Sequence, residues 1–406
     1  MNKITFIIIF LFIVSSLNLY SQWIPVGLGT PLGGDINELK VYNSKMYAGG
    51  TVTLFRSTDN GNNWNGCIQG FALYAWNIAK NNYAIYCGLG SSTMYYSTDD
   101  GETWPQMTTF PQLAGGIHDI ECDNNFIYTQ TAMYFLKSSN NGQNWVTENN
   151  PGGFVLFYSN GRLYSAGAGL KVSTNNGTNW TVIFNQPTTS IFVEDSVIFA
   201  GSQDNGLYRS GNYGQNFINI IPGYIRVNAI YKYNDYVFVA ADTMNPPFYT
   251  AHNLYVSTNK GFSFIKRNQG LDSVSITSFT YHDNYIYISV GNYGTTNVAI
   301  YKRLLQDIIG IKKYEGIVPE SFELYQNYPN PFNKTTIIKF QTKSNGLVEL
   351  KVFDLSGKEI KTLINENLNA GLYQVEFDSE SLTSGVYFYK LVTNGFESVK
   401  KMILVK

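Results

Sequence analysis

The stretch STDNGNNW, residues 57–64, returns as STDDGETW at residues 97–104. It recurs as SSNNGQNW (138–145), STNNGTNW (173–180), SGNYGQNF (210–217) and STNKGFSF (257–264), at intervals of 35 to 47 residues. Repetition at that period marks a chain built from equivalent supersecondary units. Within each copy the residue types fit one tight turn. Asp59 and Asp99 offer carboxylate oxygens to backbone N–H groups across it, and Gly61 and Gly101 take a positive φ. Trp64 and Trp104 fold back over the turn as plugs. In later copies Asn140 and Asn175 keep an acceptor oxygen without the charge, with Trp145 and Trp180 as plugs. A calcium loop is excluded, because each copy holds one or two carboxylates and no bidentate Glu closes it.

Upstream of each copy an apolar residue precedes another by seven positions: Leu39/Met46, Ile78/Ile85, Ile120/Ile127, Leu156/Leu163, Ile191/Ile198, Ile230/Val237 and Phe279/Ile286. Polar turn residues lie between, which predicts seven hairpins. A third strand then runs into each turn, as in TLFRS or GLYRS, but the seventh, AIYKR (299–303), has no turn after it. Seven three-strand units thus share six turns leading to a fourth strand. QWIPVGLG (22–29) reads like the sequence after a turn, so the N-terminal strand is expected to complete the last unit, with Trp23 as its plug.

These turns resemble the Asp-box, or BNR, repeat of sialidase-like β-propellers. The resemblance implies an all-β chain with a seven-bladed β-propeller at 22–303, the box being a structural link between outer strands on the face away from any active site. It does not extend to sialidase chemistry. That chemistry needs an arginine triad and a Tyr–Glu nucleophile pair. Only six arginines occur, of which Arg56, Arg209 and Arg303 sit at third-strand ends and Arg267 just after a turn.

Residues 304–320 lack the repeat and read as a linker. Residues 321–406 hold ten Lys but no Arg, Trp or Cys. Strand-and-turn runs there, with alternation through Val386, Phe388 and Lys390, predict a small antiparallel β-sandwich. NYPNPFN (327–333), AGLYQVEFD (370–378), LTSGVYFYKL (382–391) and KKMILVK (400–406) resemble the type A C-terminal sorting domain of the type IX secretion system. That family implies the secretion machinery as partner, passage through the outer membrane, and removal of the domain. An autonomous carbohydrate-binding sandwich is the alternative.

At the other end Lys3 precedes an apolar run at 4–14, followed by small polar residues up to Ser21. A run of eleven residues suits a signal peptide (1–21) and falls short of crossing ~30 Å of hydrocarbon. An uncleaved anchor is the alternative. After signal removal no membrane span is expected, and the location is extracellular or cell-surface. A net charge of −1 with 14% charged residues argues against nucleic acid. Cys67, Cys87 and Cys122 read as free thiols or a Cys67–Cys87 bridge plus one, and neither they nor the three histidines have metal-ligand spacing. No cofactor and no metal are expected.

No nucleophile elbow, phosphate loop or zinc motif appears. Carboxylates on inner strands or loops are Asp35, Glu38, Asp119, Asp204 and Asp242, and nothing in their spacing selects a pair for glycoside hydrolysis. The loops between second and third strands face the usual ligand side of a propeller. The longest, at 240–253, carries Asp242, Tyr249 and His252; its expected neighbours carry Asp204 and Tyr293. Those five residues are the expected ligand site of a non-catalytic glycan- or protein-binding module, with a glycoside hydrolase as the alternative.

Overall fold

The computed structural model describes residues 23–27, 35–68, 75–112, 115–245, 248–268, 271, 274–291, 300–314, 316–379 and 382–406. The expected signal peptide and Tyr293 lie outside the described residues.

Seven sheets follow one another along the chain, each an antiparallel meander. Their first strands are Ile36–Tyr42, Ala75–Lys80, Ile117–Cys122, Gly153–Ser159, Thr188–Glu194, Ile225–Tyr233 and Ser275–His282. Consecutive first strands touch in a cycle that closes from the seventh back to the first. That is a seven-bladed propeller whose first strands surround the axis, and blades are numbered here in chain order. The N-terminal strand Ile24–Val26 pairs with Ile300–Leu304, Ile24 opposite Lys302, and so forms the outer strand of blade seven. Trp23 is buried in the apolar cluster that also holds Phe279 and Ile288 of blade seven.

Local chemistry explains the repeat. In blade one Tyr42 pairs with Lys45 across a two-residue turn, Asn43 and Ser44 at φ 48° and 60°. Such left-handed turns match the twist of the flanking strands. Of the fourteen residues in the seven-spaced pairs, thirteen are buried and Ile230 is half-buried.

In the repeated turn the serine is the hub. Ser97 Oγ accepts the N–H of Gly101 at 2.7 Å and donates to Asp99 Oδ1 at 2.7 Å. Asp99 in turn accepts the N–H of Thr103 at 3.0 Å. Asn140, Asn175, Asn212 and Asn259 accept the equivalent N–H at 2.9 to 3.1 Å. The indoles of Trp64 and Trp104 donate to the carbonyls of Gly61 and Gly101. Those of Trp145 and Trp180 make no hydrogen bond and are held by edge-on packing against Phe110 and Phe135.

Blade two departs from the expected four strands. Pro105 directly follows the Trp104 plug, and a residue without an N–H interrupts a ladder. The outer strand there shrinks to a bridge between Tyr95 and Gln106. The 240–253 stretch also departs from its reading as a loop: it is strand, Tyr236–Asn245 and Phe248–Ser257, each 10 residues long.

The C-terminal part forms two four-stranded sheets. One contains Gly371–Asp378 with Ile311–Tyr314 on its edge; the other contains Gly385–Thr393 and the last strand, Phe396–Leu404. The residues buried along Gly385–Thr393 are Tyr387, Tyr389, Leu391 and Thr393, so the inward face is one position out of phase with Val386, Phe388 and Lys390. Tyr phases inward here because its hydroxyl finds partners: Tyr389 donates to Tyr325 O and accepts Asn327 N–H. Within residues 304–320 lie a helix, Leu305–Ile309, and the edge strand Ile311–Tyr314. Ile308, Ile309 and Ile311 join blades six and seven and the C-terminal sheets in one buried apolar cluster.

The candidate site at the propeller mouth

A β-bulge interrupts the first strand of every blade, at the end opposite the repeated turns. The extra residues are Asn37, Trp76, His118, Phe154, Thr189, Asn228 and Thr277. Bulges re-aim side chains, and here two threonines reach across to the next blade. Thr189 Oγ1 donates to Val227 O at 2.6 Å and Thr277 Oγ1 to Ile36 O at 2.5 Å, closing blade five onto six and seven onto one.

The carboxylates beside the bulges have the same work. Glu38 accepts the N–H of Ile78 at 2.6 Å and pairs with Lys40 at 2.9 Å. Asp119 accepts the N–H groups of Ile120 and, in blade four, Leu156, at 2.8 and 2.7 Å. Burial, with Glu121 and Glu38 nearby, pushes the Asp119 carboxyl well above the carboxylate range. Burial also pushes Glu121 up to about 7, where Glu38 adds to the shift and Lys40 opposes it. Desolvation works against the Lys40 charge, but Glu38, Tyr42 and Glu121 outweigh it and hold its ammonium above the ordinary lysine value.

Two of the expected ligand residues come together. Asp242 is buried at the root of the long blade-six hairpin, with His252 Nδ1 2.7 Å from its Oδ1. Its Oδ2 accepts from Asn228 Nδ2 at 2.7 Å and Ser275 Oγ at 2.9 Å. Ser275 therefore donates to the acid and does not face the imidazole as a nucleophile would. Asp204 instead braces its own loop in blade five, accepting from Asn205 Nδ2 at 2.7 Å. Tyr249 lies in the hairpin strand opposite Met244.

The residues that sequence reasoning missed lie at the bulges of blades one to four. Asn37, Asn77, His118 and Phe154 line a cavity of about 540 Å³. The signal available was the polar or aromatic residue two positions ahead of each seven-spaced apolar residue, such as Asn37 before Leu39. A second cavity, about 560 Å³, lies between blade six and the C-terminal sheets, with Arg267, Lys361, Glu376 and Asp378 among its walls.

Arg226 lies at the mouth end of blade six, opposite Asp242, but Arg56, Arg209 and Arg303 stay away from the mouth. Arg56 pairs with Glu102 of the next turn at 2.8 Å, Arg209 lies 4.2 Å over the Phe262 ring, and Arg303 is buried. All three cysteines are free thiols; Cys87 is buried, Cys67 and Cys122 half-buried. Among the described residues no group of three His, Cys, Asp or Glu is placed to hold a metal, and no helix is long and apolar enough to cross a membrane.

Residues 326–406 match the family described as "Secretion system C-terminal sorting domain". The C-terminal sandwich is a sorting domain of the Por secretion system. The protein is thus exported to the cell surface or beyond, and its sorting domain engages the type IX secretion machinery. No curated protein matches the chain. Among solved structures, "YCF48 bound to D1 peptide" is similar at TM-score 0.56 and 15% identity, covering 70% of this chain and 95% of that one. PorZ, a surface component of the type-IX secretion system of Porphyromonas gingivalis, is similar at TM-score 0.53 and 12% identity, covering 92% of this chain. This chain spans 60% of the length of PorZ. The extracellular domain of BT4673 from B. thetaiotaomicron is similar at TM-score 0.55 and 11% identity, covering 95% of this chain and 59% of that one. At these identities the likeness is one of fold.

Proposed function

We propose that this is an Asp-box (BNR-type) propeller that acts outside the cell as a recognition module for a glycan or a protein, without catalytic chemistry of its own. The observation that carries this reading is the commitment of the inner carboxylates. Glu38, Asp119 and Asp242 each accept two or more hydrogen bonds or ion-pair contacts from their surroundings. Groups held in that way position strands, and hydrolysis needs one acid and one base facing a shared substrate. The long blade-six hairpin, with Asp242 and His252 at its root, supplies an edge for recognition. A similar propeller, YCF48, is described bound to a peptide.

The glycoside hydrolase reading has one observation in its favour, the Glu121 carboxyl at about 7, in the range of a general acid. A glycan and protein array run beside a hydrolysis screen separates the two. Wild type is expected to bind without turnover, and His252→Ala with Tyr249→Ala to weaken binding. Turnover that disappears in Asp204→Ala/Asp242→Ala or in Glu121→Gln makes the protein an enzyme.

A further inference from the structure

The seven bulge residues divide into two arcs. In blades five to seven, Thr189, Asn228 and Thr277 spend their side-chain donors on the neighbouring blade or on Asp242. In blades one, three and four the described bulge side chains, Asn37, His118 and Phe154, leave the arc open. The Asn37 amide makes no hydrogen bond to another described residue. Asn77 donates to the carbonyl of His118 and keeps its own carbonyl oxygen for another partner. Phe154 leaves 58% of its surface exposed and stacks on the His118 ring at 5.1 Å and 26°. The cavity between them, about 540 Å³, lies within the ~300–1,000 Å³ usual for small-ligand sites.

We infer that this open arc is a binding site for an uncharged saccharide, one sugar ring laying its C–H face on Phe154 while its hydroxyls meet Asn37 and Asn77. The inference rests on the reading of the protein as a recognition module and places a site apart from the Asp242–His252 hairpin. An exposed aromatic face beside amides complements a ring that is apolar on one side and hydroxylated at its edge. Among the described lining residues no side chain carries a full charge: burial holds His118 below the ordinary imidazole value, so it is neutral at pH 7. Lys40, on the same strand as Asn37, is paired with Glu38 at 2.9 Å. An acidic sugar therefore finds no free cation here. A mouth bounded by strands of four blades suits a compact ring better than an extended peptide, which needs an open strand edge or groove.

The test uses the full chain and a panel of uncharged gluco-, galacto- and manno-configured trisaccharides at millimolar concentration, read by saturation-transfer NMR and calorimetry. Sialylated counterparts serve as comparison. At least one uncharged member is expected to bind, and Phe154→Ala and Asn37→Ala to weaken it at least about tenfold. Phe154→Trp should retain binding. Thermal unfolding of each variant checks that the fold persists. Binding that survives Phe154→Ala or favours the sialylated sugars overturns the channel site and leaves the recognition reading standing. So does the absence of any saccharide signal alongside a protein ligand on the array. Turnover of a bound saccharide overturns the recognition reading itself.

Discussion

The phenol of Tyr287 in blade seven donates a hydrogen bond to the carbonyl of Asn60, in the repeated turn of blade one, at 3.0 Å. Tyr47 does the same from blade one to Asp100 in blade two, at 2.8 Å. The turn therefore faces sideways as well as along its own blade. Gly61 and Gly101, at φ 82° and 80°, lie flat against those tyrosine rings, where a side chain would press on the ring. At the junction of last and first blades His282 Nε2 also meets Asn60 Oδ1 at 2.9 Å.

Removing the Tyr287 hydroxyl tests whether this contact helps to close the ring. Tyr287→Phe leaves the ring packing intact and deletes one hydrogen bond, so a loss of about 1 kcal/mol is expected. Deleting residues 23–26 removes the closing strand and should cost several times more. Urea unfolding measures both; a truncation no worse than Tyr287→Phe would mean that strand closure adds nothing.

Within the turn, the serine should matter more than the acid. Ser97→Ala strands the buried N–H of Gly101, for which a loss of about 1–3 kcal/mol is expected. Asp99→Asn should cost little, because four copies of the turn already use Asn in the same geometry. The reverse order in unfolding midpoints near pH 7 would contradict the serine-hub account. Hydrogen bonds from Thr103 and Ser97 hold the Asp99 carboxyl below its ordinary value, so its contribution is present above the unfolded value and is lost only in strong acid.

The hairpins were legible because Leu39 and Met46, and their six counterparts, are separated by a fixed local geometry that survives in any context. The closing strand was legible from the mismatch between units and turns. The lateral contacts were not. Tyr47, Tyr86, Tyr128, Tyr164, Phe199, Phe238 and Tyr287 each directly follow a seven-spaced apolar residue and are all buried. Strand alternation assigns such a residue to a face of its own sheet, and only ring closure decides which neighbouring blade it meets. The bulges escaped for a related reason. Asn37 adds its extra residue ahead of Leu39, so the seven-residue spacing that reveals the hairpin is undisturbed. The site itself was half legible: Asp242 and His252 converge through strand register, whereas Phe154 and His118 meet across two blades.

Glu121 should make stability depend on pH in the direction opposite to the turn acids. Its folded-state value is raised from 4.5 to about 7, so its contribution is fully present below the lower value and is lost as pH rises through the higher one. Glu121→Gln is expected to flatten that slope and to be more stable than wild type at about pH 8, where the wild-type carboxylate is ionised against Glu38. Urea midpoints taken across this window check the sign. A variant less stable than wild type at the alkaline end would show that the Lys40–Glu121 attraction outweighs the burial of the charge.

The sorting domain should stay attached after the chain between it and the propeller is cut. Residues 316–318 are exposed and carry no strand, with Val318 78% exposed, so a protease has access there. The strand on the propeller side of that cut, Ile311–Tyr314, pairs with Gly371–Asp378 of the sorting domain, Ile311 opposite Val375. Ile308 and Ile309, also on the propeller side, lie in the apolar cluster shared with Phe340 and Phe377. Each buried aliphatic side chain contributes about 1.5–3 kcal/mol, enough in combination to hold two fragments together. Limited proteolysis is expected to nick the chain within 316–318 and to yield two pieces that co-elute by size exclusion and separate in denaturant. Ile309→Asp, which puts a charge into the shared cluster, should let the nicked pieces part under native conditions. Immediate separation of the wild-type fragments would sink this account and make trimming alone sufficient for release. Co-elution means that release requires the machinery to peel Ile311–Tyr314 out of the sorting-domain sheet.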